Sequence, residues 1–596
     1  MAEKIVSPGV FTNEVDQSFL PAGVAAIGAA VIGPTAKGPA LVPTTVSSYS
    51  EFVNIFGGVF ESGSGAEKDR YKYLTNYSAQ EYLKYADTLT VVRILDGTFK
   101  AATASIATQG TGSQSDGSGP GTTEGGGLDC FTLTTLSHGL DQDSDGGTLG
   151  TNELLPNGTA NNLRYEVSSV STGKGTFNVT IRRGDDTSKR KIILEQYNGV
   201  NLDPNSSNYI ARRIGDQVLE TKDIATTDPY IQYSGDYPNR SKLVRVTVHK
   251  RTLNYLDENG SIRDNELSAS LPQAMSSSFG GGLDGTVAHP RGMYENINLT
   301  NSQGITFNAS GNEEYIGAIR LLKNQDEYDI NLLSLPGVID RHPKHAPVIT
   351  EAIDMVESRG DCFLVIDPVE ANIQNLATVT AKAEARDTNY AAEYWPWIKI
   401  PDNELGKNVW VPASTVIPSV YAFNDRVAAP WFAPAGLNRG GIDIAVQAER
   451  KLTHANRDTL YESNVNPIAT FPNAGVTVFG QKTLQKKASA LDRVNVRRLL
   501  IAAKKFIAST TKFLVFENNT AATRNRFLSI VNPYFENVQQ RQGLFAFKVV
   551  MDESNNTPDV IDRNQMVGQI FLQPAKTAEF IVVDFNILPT GAAFPE

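Results

Sequence analysis

Cysteine is almost absent from this chain, which has only Cys130 and Cys362 among its 596 residues. The two lie far apart, in stretches of different composition, so a disulfide framework is excluded as a source of stability. Both thiols are expected to be free and buried. Such sparse use of cysteine is typical of a protein that is made and assembled in a reducing cytoplasm.

Long apolar runs are also missing. The longest one near the N-terminus is VAAIGAAVIG (residues 24–33), whereas a membrane-spanning helix needs about 20 residues. Acidic residues precede this run, in place of the basic stretch that begins a signal peptide. We therefore expect a buried strand here, no membrane anchor and no export signal. The net charge of −11 argues against bulk binding of nucleic acid.

Motifs for catalysis or cofactor binding are missing as well. The sequence has no GxSxG elbow, no GxxxxGK[ST] loop and no HExxH pair, and no catalytic pair stands out among its 65 Asp and Glu. Residues 141–153 open like a calcium loop, but Asn152 occupies the position of the bidentate Glu, which favours a surface turn. His342 and His345 have no third ligand nearby, which favours a structural role. These absences predict no enzyme, no cofactor and no metal.

What the chain does contain is enough apolar residues, 40%, to bury large cores. Its length suggests about three or four domains. The glycine-rich, polar stretch 107–127 separates α/β patterns from a run of short alternating strands. We predict an α+β multidomain chain: an N-terminal extended arm (1–20), an α/β segment that packs with the core (21–97), a β-rich inserted outer region of two lobes (98–300), an α/β core domain (301–576) and a C-terminal strand arm (577–596).

Both ends of the chain have a strand-like pattern. The sequence SPGVFTNEV (7–15) alternates weakly, with Val10 on one face and Phe11 and Val15 on the other. The sequence TAEFIVVDFNILPTG (577–591) alternates more clearly, with Phe580 and Val582 opposite Phe585. A terminal strand either completes its own sheet or is free to complete that of another chain, and the pattern alone leaves both possibilities open.

One predicted helix, residues 488–510, has two distinct faces. Its apolar side chains cluster in one arc at helical spacing, which predicts a core-facing side. A second arc is basic and contains no acid over 493–508. It is formed by Arg493, Arg497, Arg498, Lys504 and Lys505. This basic stripe is either a solvated face or a docking face for an acidic protein surface.

Several motifs in this order resemble those of the contractile tail sheath proteins of myophages. The N-terminal matches are SPGVFTNEVD (7–16), AAVIGPTAKGP (29–39), YSEFVNIFGG (49–58) and LTVVRIL (89–95). The middle and C-terminal matches include LLSLPGV (332–338), CFLVIDP (362–368), NYAAEYWPWIKI (389–400), VPASTVIPSVYAFNDRVAAPWFAPAG (411–436), VNVRRLLIAAKKF (494–506), FLVFENN (513–519) and AKTAEFIVVDFNI (575–587). The insertion has no such match.

The resemblance implies a structural subunit with a sheath core domain, not an enzyme. Such subunits assemble helically around a tail tube in a metastable extended state and contract to drive the tube through the host envelope for genome delivery. The implied partners are other copies of the chain, the tail tube protein, and baseplate and tail terminator proteins, with no direct contact to nucleic acid or membrane. The implied location is the virion, after assembly in the host cytoplasm.

Two site hypotheses combine this resemblance with the patterns above. Strand exchange between subunits is assigned to the two terminal strands, through Val10, Phe11, Val15, Phe580, Val582 and Phe585. The basic stripe of Arg493, Arg497, Arg498, Lys504 and Lys505 is assigned to the side that faces the tail tube.

Three other functions remain alternatives. A sheath subunit of a phage-derived device, such as a bacteriocin or a type VI-like secretion system, would have the same motifs. A β-rich adhesin or glycan-degrading tail enzyme would need a repeated strand array and paired active-site carboxylates, and neither is evident. A cytoplasmic enzyme is disfavoured because no coherent site is found.

Overall fold

The computed structural model describes residues 28–62, 69–109, 129–287 and 297–579. Contacts divide them into a larger unit, residues 28–502 with 574–579, and a smaller unit, residues 503–573. The division falls within one helix (Val494–Thr511). The predicted core domain 301–576 therefore contributes to both units, because a helix pattern cannot reveal that its two halves pack in different cores.

The segment before the insertion folds into alternating strands and helices, as its pattern predicts. Ser48 caps its first helix by accepting a hydrogen bond from Glu51 N (3.2 Å), and Gly57, at a φ of 79°, ends it. Phe52 and Phe56, one helical turn apart, are buried. The elements are β1 (Gly28–Gly33), β2 (Thr44–Val46), α1 (Tyr49–Phe56), β3 (Phe60–Ser62), β4 (Asp69–Tyr71), α2 (Leu74–Tyr82) and β5 (Leu89–Arg93).

The next region is rich in strands. Its elements are β6 (Phe99–Ala107), β7 (Asp129–His138), β8 (Leu163–Ser171), β9 (Thr176–Arg183), β10 (Ile193–Val200), α3 (Ile210–Ile214), β11 (Val218–Lys222), β12 (Tyr230–Ser234), β13 (Val244–Val248), α4 (Asn265–Ala269), β14 (Met275–Ser278), β15 (Leu283–Asp284), β16 (Asn301–Ser302) and β17 (Ile305–Thr306). A tight turn at residues 172–175 joins β8 to β9, which pair antiparallel.

The insertion is built from two four-stranded sheets, in the orders β10-β9-β8-β14 and β13-β7-β6-β15. Their inner faces share one hydrophobic core, in which Phe131 of β7 stacks on Phe177 of β9 with ring centroids 5.7 Å apart. The prediction of two lobes is therefore wrong. Strand patterns show where each sheet is apolar, but not that the two apolar faces cover each other.

The two ends of the insertion meet at one place. Asp96 forms a parallel bridge with Gly285, and Thr286 N donates a hydrogen bond to Asp96 O at 2.8 Å. The β11–β12 hairpin connects the insertion back to the rest of the larger unit. Thr221 Oγ1 donates to Leu41 O (2.5 Å), and Arg320 Nη1 donates to Thr226 O (2.9 Å).

The chain then returns to an α/β pattern. Its elements are α5 (Glu313–Leu321), β18 (Ile330–Ile339), α6 (Ala346–Arg359), β19 (Phe363–Asp367), α7 (Leu376–Ala383), β20 (Ala391–Trp395), β21 (Ile398–Asp402), β22 (Lys407–Val411), α8 (Ala413–Val427), β23 (Gln447–Ala448), α9 (His454–Glu462), β24 (Val465–Phe471) and β25 (Gly475–Val478). The aromatic stretch 390–400 contains two of these strands, β20 and β21, which join different sheets.

One eight-stranded sheet organises the larger unit, in the order β2-β5-β1-β18-β19-β20-β24-β25. The six inner strands are parallel, and the edge strands β2 and β25 are antiparallel. Buried side chains form separate clusters, one that includes α2 and α8 and another that includes α5 and α6. The sheet thus joins strands from both sides of the insertion, and helices cover both of its faces.

The smaller unit is a helical layer with a two-stranded sheet. Helix α10 (Val494–Thr511) leads into it, followed by α11 (Ala521–Gln540), β26 (Leu544–Val550), α12 (Pro558–Asp562) and β27 (Gln569–Pro574). Phe535 of α11 lies against Phe547 of β26, with ring centroids 5.6 Å apart, and Tyr534 stacks on Phe506 at 4.0 Å. No helix within the described ranges combines the length and apolarity that crossing a bilayer requires.

Candidate assembly site

The last described residues of the chain are bonded to the surface of the larger unit. Glu579 lies beside helix α9, the segment after β25 and the start of helix α10. Its carboxylate accepts hydrogen bonds from Arg493 Nε (2.8 Å), Tyr461 OH (2.7 Å) and Gln481 Nε2 (3.0 Å). Gln481 also donates to Thr577 Oγ1 at 2.8 Å. Residues 577–579 were predicted to belong to the terminal arm, but they are attached to the chain's own core.

The electrostatics of this attachment favour a charged carboxylate. Burial tends to raise the pKa of Glu579, but the hydrogen bonds from Arg493, Tyr461 and Gln481 outweigh burial and lower the pKa below its ordinary value of 4.5. An acid with a lowered pKa stabilises the folded arrangement above its ordinary pKa. This contribution is lost as the pH falls from 4.5 through the lowered pKa, so the attachment is strongest at neutral pH.

A groove of about 360 Å³ opens beside the attachment. The Arg457 guanidinium lies over the rings of Phe471 and Phe479, at 5.3 and 5.2 Å from their centroids. These two rings are themselves 4.8 Å apart. The groove therefore combines an apolar wall with a cation, directly next to the point where the chain continues to residue 580.

The five cations of the predicted basic stripe do not form one exposed face. Arg497 is 3% exposed, lies 3.8 Å from the Tyr390 ring centroid and donates to Asn389 Oδ1 at 3.1 Å. Arg498 is 8% exposed and forms an ion pair with Asp425 at 2.5 Å. The predicted basic stripe therefore does not present Arg497 and Arg498 to solvent, because other elements of the larger unit cover that side of the helix.

The other three members of the stripe have different surroundings. Arg493 forms ion pairs with Glu579 (2.8 Å) and Asp492 (3.1 Å), so its charge is used within the chain. Lys505 is buried and Lys504 is exposed. Contact between this helix and a tail tube thus remains a prediction. Lys504 is the residue of the basic stripe whose exposure is compatible with such a contact.

The six residues assigned to strand exchange lie outside the described residues. They are Val10, Phe11, Val15, Phe580, Val582 and Phe585. Strand exchange therefore stays a prediction. Sequence patterns did not identify Glu579, Tyr461 or Gln481. The available signal was a lone acidic residue directly before the apolar run 580–583, in a segment whose other residues suit a strand.

The histidines and the acidic loop are used structurally. Ile339 N donates to His345 Nδ1 at 3.1 Å, and burial lowers the pKa of His345 to about 3. In the acidic loop, Asp143 Oδ1 accepts from Asp145 N (3.0 Å), and Asn157 Nδ2 donates to Asp145 O (2.7 Å). No group of three or more His, Cys, Asp or Glu suited to a metal ion occurs in the part of the chain that the structure describes.

A second ionisable cluster, also missed from sequence, lies inside the central sheet. Asp340 follows β18, Asp367 ends β19 and Glu393 lies in β20, and all three are buried. Arg386 binds Asp340 through Nε at 2.7 Å and Nη2 at 2.5 Å, and Ser414 Oγ donates to Asp367 at 2.5 Å. Carboxyls at the ends of parallel strands resemble an active site. Here all three are enclosed in the core, where their ionisation affects the stability of the fold.

This cluster predicts a pH-dependent stability. Burial raises the pKa of Asp367 to about 7, and burial followed by the nearby Asp340 charge raises that of Glu393 well above 4.5. The folded chain then keeps protons that the unfolded chain releases, so the free energy of unfolding falls by roughly 2–4 kcal/mol between about pH 5 and about pH 8. Urea unfolding across this range should show a smaller fall in Glu393→Gln. The exposed control Glu258→Gln should keep the full fall, and an equal fall in all three chains would contradict this explanation.

Two domain models of the phage tail sheath family match this chain. The phage tail sheath protein central domain matches residues 308–484, and the phage tail sheath C-terminal domain matches residues 486–587. The second match contains both Arg493 and Glu579. The two matches follow each other in the order expected for a sheath protein, and the insertion lies outside both.

Curated tail sheath proteins are similar over part of the chain. That of Vibrio phage KVP40 is 40% identical over 233 residues, which are 39% of this chain and 34% of the relative. That of Enterobacteria phage T4 is 28% identical over 323 residues, which are 50% of this chain and 48% of the relative. The chain thus spans about a third to a half of the length of these relatives.

A solved structure supports the same fold over nearly the whole chain. The sheath tail protein of Listeria innocua has a TM-score of 0.51 and 11% identity, and the match covers 92% of this chain and 95% of that one. At this identity the likeness concerns the fold alone. The two domain models and the curated relatives, taken together, show that residues 308–587 match the central and C-terminal domains of phage tail sheath proteins.

Proposed function

We propose that this chain is the structural subunit of a contractile phage tail sheath. It polymerises helically around the tail tube in a metastable extended state and contracts to drive the tube through the host envelope for genome delivery. The observation that carries the proposal is the ordered match of both sheath domains over residues 308–587. The curated relatives are phage proteins, which favours the virion over a phage-derived injection device.

The proposed partners follow from this role. The chain contacts other copies of itself, the tail tube protein, and the baseplate and tail terminator proteins. A contact between two different surfaces of identical subunits does not close on itself and propagates as a helix. The exposed Lys504 on α10 is the proposed point of contact with the tube, because its positive charge would be attracted to an acidic tube surface.

Contraction requires subunits to move without separating. Terminal strands that pair with the sheet of a neighbour provide such a link, because main-chain hydrogen bonds persist while the connecting residues turn. The core of each subunit then moves as a rigid body. The attachment of Glu579 supports this arrangement, since it fixes the start of the C-terminal strand and leaves only residues after 579 to reach a neighbour. A barrier between the two states preserves the extended one.

Truncation tests the role of the strands. A chain that ends at Glu579 lacks Phe580, Val582 and Phe585 but keeps the attachment, and we expect it to fold and to form no helical tubes. A chain lacking residues 1–20, and with them Val10, Phe11 and Val15, should behave likewise. Negative-stain electron microscopy, with and without polymerised tail tube, checks both. Removal of residues 588–596 alone is the control and should leave assembly intact. Normal tubes both from the chain that ends at Glu579 and from the chain that lacks residues 1–20 would refute the proposal of strand exchange.

A further inference from the structure

The turn after helix α10 presents an apolar tip to solvent. A short 3₁₀ turn (Lys512–Leu514) leads into Val515 and Phe516. Hydrogen bonds from Val515 N to Lys512 O (3.3 Å) and from Glu517 N to Leu514 O (3.2 Å) fix its backbone. Phe513 is 67% exposed, Val515 is 62% exposed and Phe516 is fully exposed. We refer to residues 513–516 as the aromatic tip.

The backbone of Phe516 is also unfavourable. Its φ is 71°, in the left-handed region, where a side chain with a Cβ is crowded and where Gly or Asn is usually found. Most other non-glycine residues with positive φ in the described ranges are polar, and Phe516 is the aromatic one among them. The chain thus combines a strained backbone with a fully exposed ring at one residue. Among the described residues the Phe516 ring is left fully exposed, and strain of this kind concentrates at functional positions.

The smaller unit, which contains the tip, has further exposed phenylalanines. All the phenylalanines that are more than half exposed within the described ranges belong to the smaller unit: Phe513, Phe516, Phe545 and Phe571. This unit is also slightly basic, with eight Lys and Arg against six Asp and Glu, whereas the whole chain has 54 against 65. The larger unit therefore has the opposite charge. Exposed aromatic residues in such a setting mark contact surfaces.

We propose that the aromatic tip is a contact site for a second copy of this chain, where it docks on the acidic larger unit of that copy. Docking buries Phe513 and Phe516 and so removes their apolar surface from water. The strained backbone of Phe516 holds its ring outward, where a second copy can contact it. The smaller unit has a positive net charge and the larger unit a negative one. The tip of one copy is therefore attracted to the larger unit of another copy, whereas two smaller units repel each other. This inference rests on the proposed function and assigns one of the contacts through which the sheath forms.

Phe516→Asn gives the sharpest test, since Asn tolerates the left-handed backbone and removes the exposed ring. We expect the thermal midpoint of the isolated subunit to stay equal or rise. We expect self-association of the full chain, followed by sedimentation velocity, to weaken about ten-fold or more, because exposed aromatic anchors dominate such contacts. The control is Tyr233→Ser, which removes another aromatic ring, 60% exposed, from the insertion and should leave self-association unchanged. Added salt should weaken the association of the wild-type chain.

The possible outcomes separate this inference from the proposed function. If Phe516→Asn self-associates like the wild-type chain, or if the wild-type chain stays monomeric yet coats polymerised tail tube, the inference is overturned and the proposed function stands. If the variant loses only its binding to the tube, the tip contacts the tube and the inference is again overturned. If the wild-type chain neither self-associates nor coats tubes, both the inference and the proposed function are refuted.

Discussion

Reversing the charge of Glu579 is expected to abolish sheath assembly while the subunit stays folded. In Glu579→Arg, the hydrogen bonds from Tyr461 and Gln481 are lost and the new guanidinium faces Arg493. Each hydrogen bond to a charged group contributes about 1.5–3 kcal/mol. Because both Arg493 and Glu579 retain some solvent exposure, we expect a combined loss near the lower end, about 3 kcal/mol. We expect the C-terminal segment then to leave the core before residue 577, so that the residues proposed for strand exchange lose their anchor.

Limited proteolysis with mass spectrometry should find new cleavage sites after residue 574 in this variant, and electron microscopy should find no tubes. The exposed control Glu258→Arg makes the same charge change in the insertion and should assemble normally. The double variant Arg493→Glu/Glu579→Arg restores opposite charges and should recover part of the assembly. Normal tubes from Glu579→Arg would show that the attachment does not direct the strand.

Removing one buried guanidinium should unfold the insertion far more easily. Arg182 contacts Asp186 through Nε (2.7 Å) and Nη2 (2.9 Å) and Glu166 through Nη1 (2.8 Å), and Asp186 is fully buried. Arg182→Met leaves a buried carboxylate with fewer partners, so we expect a loss of about 3–5 kcal/mol in the free energy of unfolding. A shift of the first urea transition to lower concentration measures it.

The neighbouring residue supplies a matched control. Arg183 also forms a two-pronged pair, with Asp185, but both of these side chains are about one-third exposed. Arg183→Met should cost only about 0–1 kcal/mol, because water solvates the charges in either state. Equal losses from the two variants would contradict the claim that burial, and not the ion pair itself, sets the cost.

Much of the fold was predictable from local patterns. The apolar runs at 329–337 and 362–368 indicate buried strands, and residues 49–58 indicate a short helix that ends at Gly57–Gly58, because periodicity and helix stops act within a few residues. The structure has β18, β19 and α1 at these places. The arrangement of distant elements was not predictable in this way. The two sheets of the insertion share a core although each strand pattern is compatible with separate lobes.

The candidate site shows the same limit more clearly. A helical projection placed Arg493, Arg497 and Arg498 on one arc, but it could not show that Asp425 and Tyr390 cover that arc. Glu579 meets Tyr461 across 118 residues of sequence and Arg493 across 86. No spacing rule links positions so far apart. Other elements of the fold can cover any face of a helix, and only tertiary packing decides which of the helix's cations remain exposed to solvent.

The bridge between Asp96 and Gly285 has a consequence for engineering this chain. A domain whose first and last residues touch can be excised and replaced by any cargo with similarly close termini, without stretching the strands on either side. The central sheet draws its strands from both sides of this junction and contains none from the excised part. The chain is therefore a natural display scaffold. A fluorescent protein or an epitope grafted between 96 and 285 would be repeated once for every subunit along an assembled polymer.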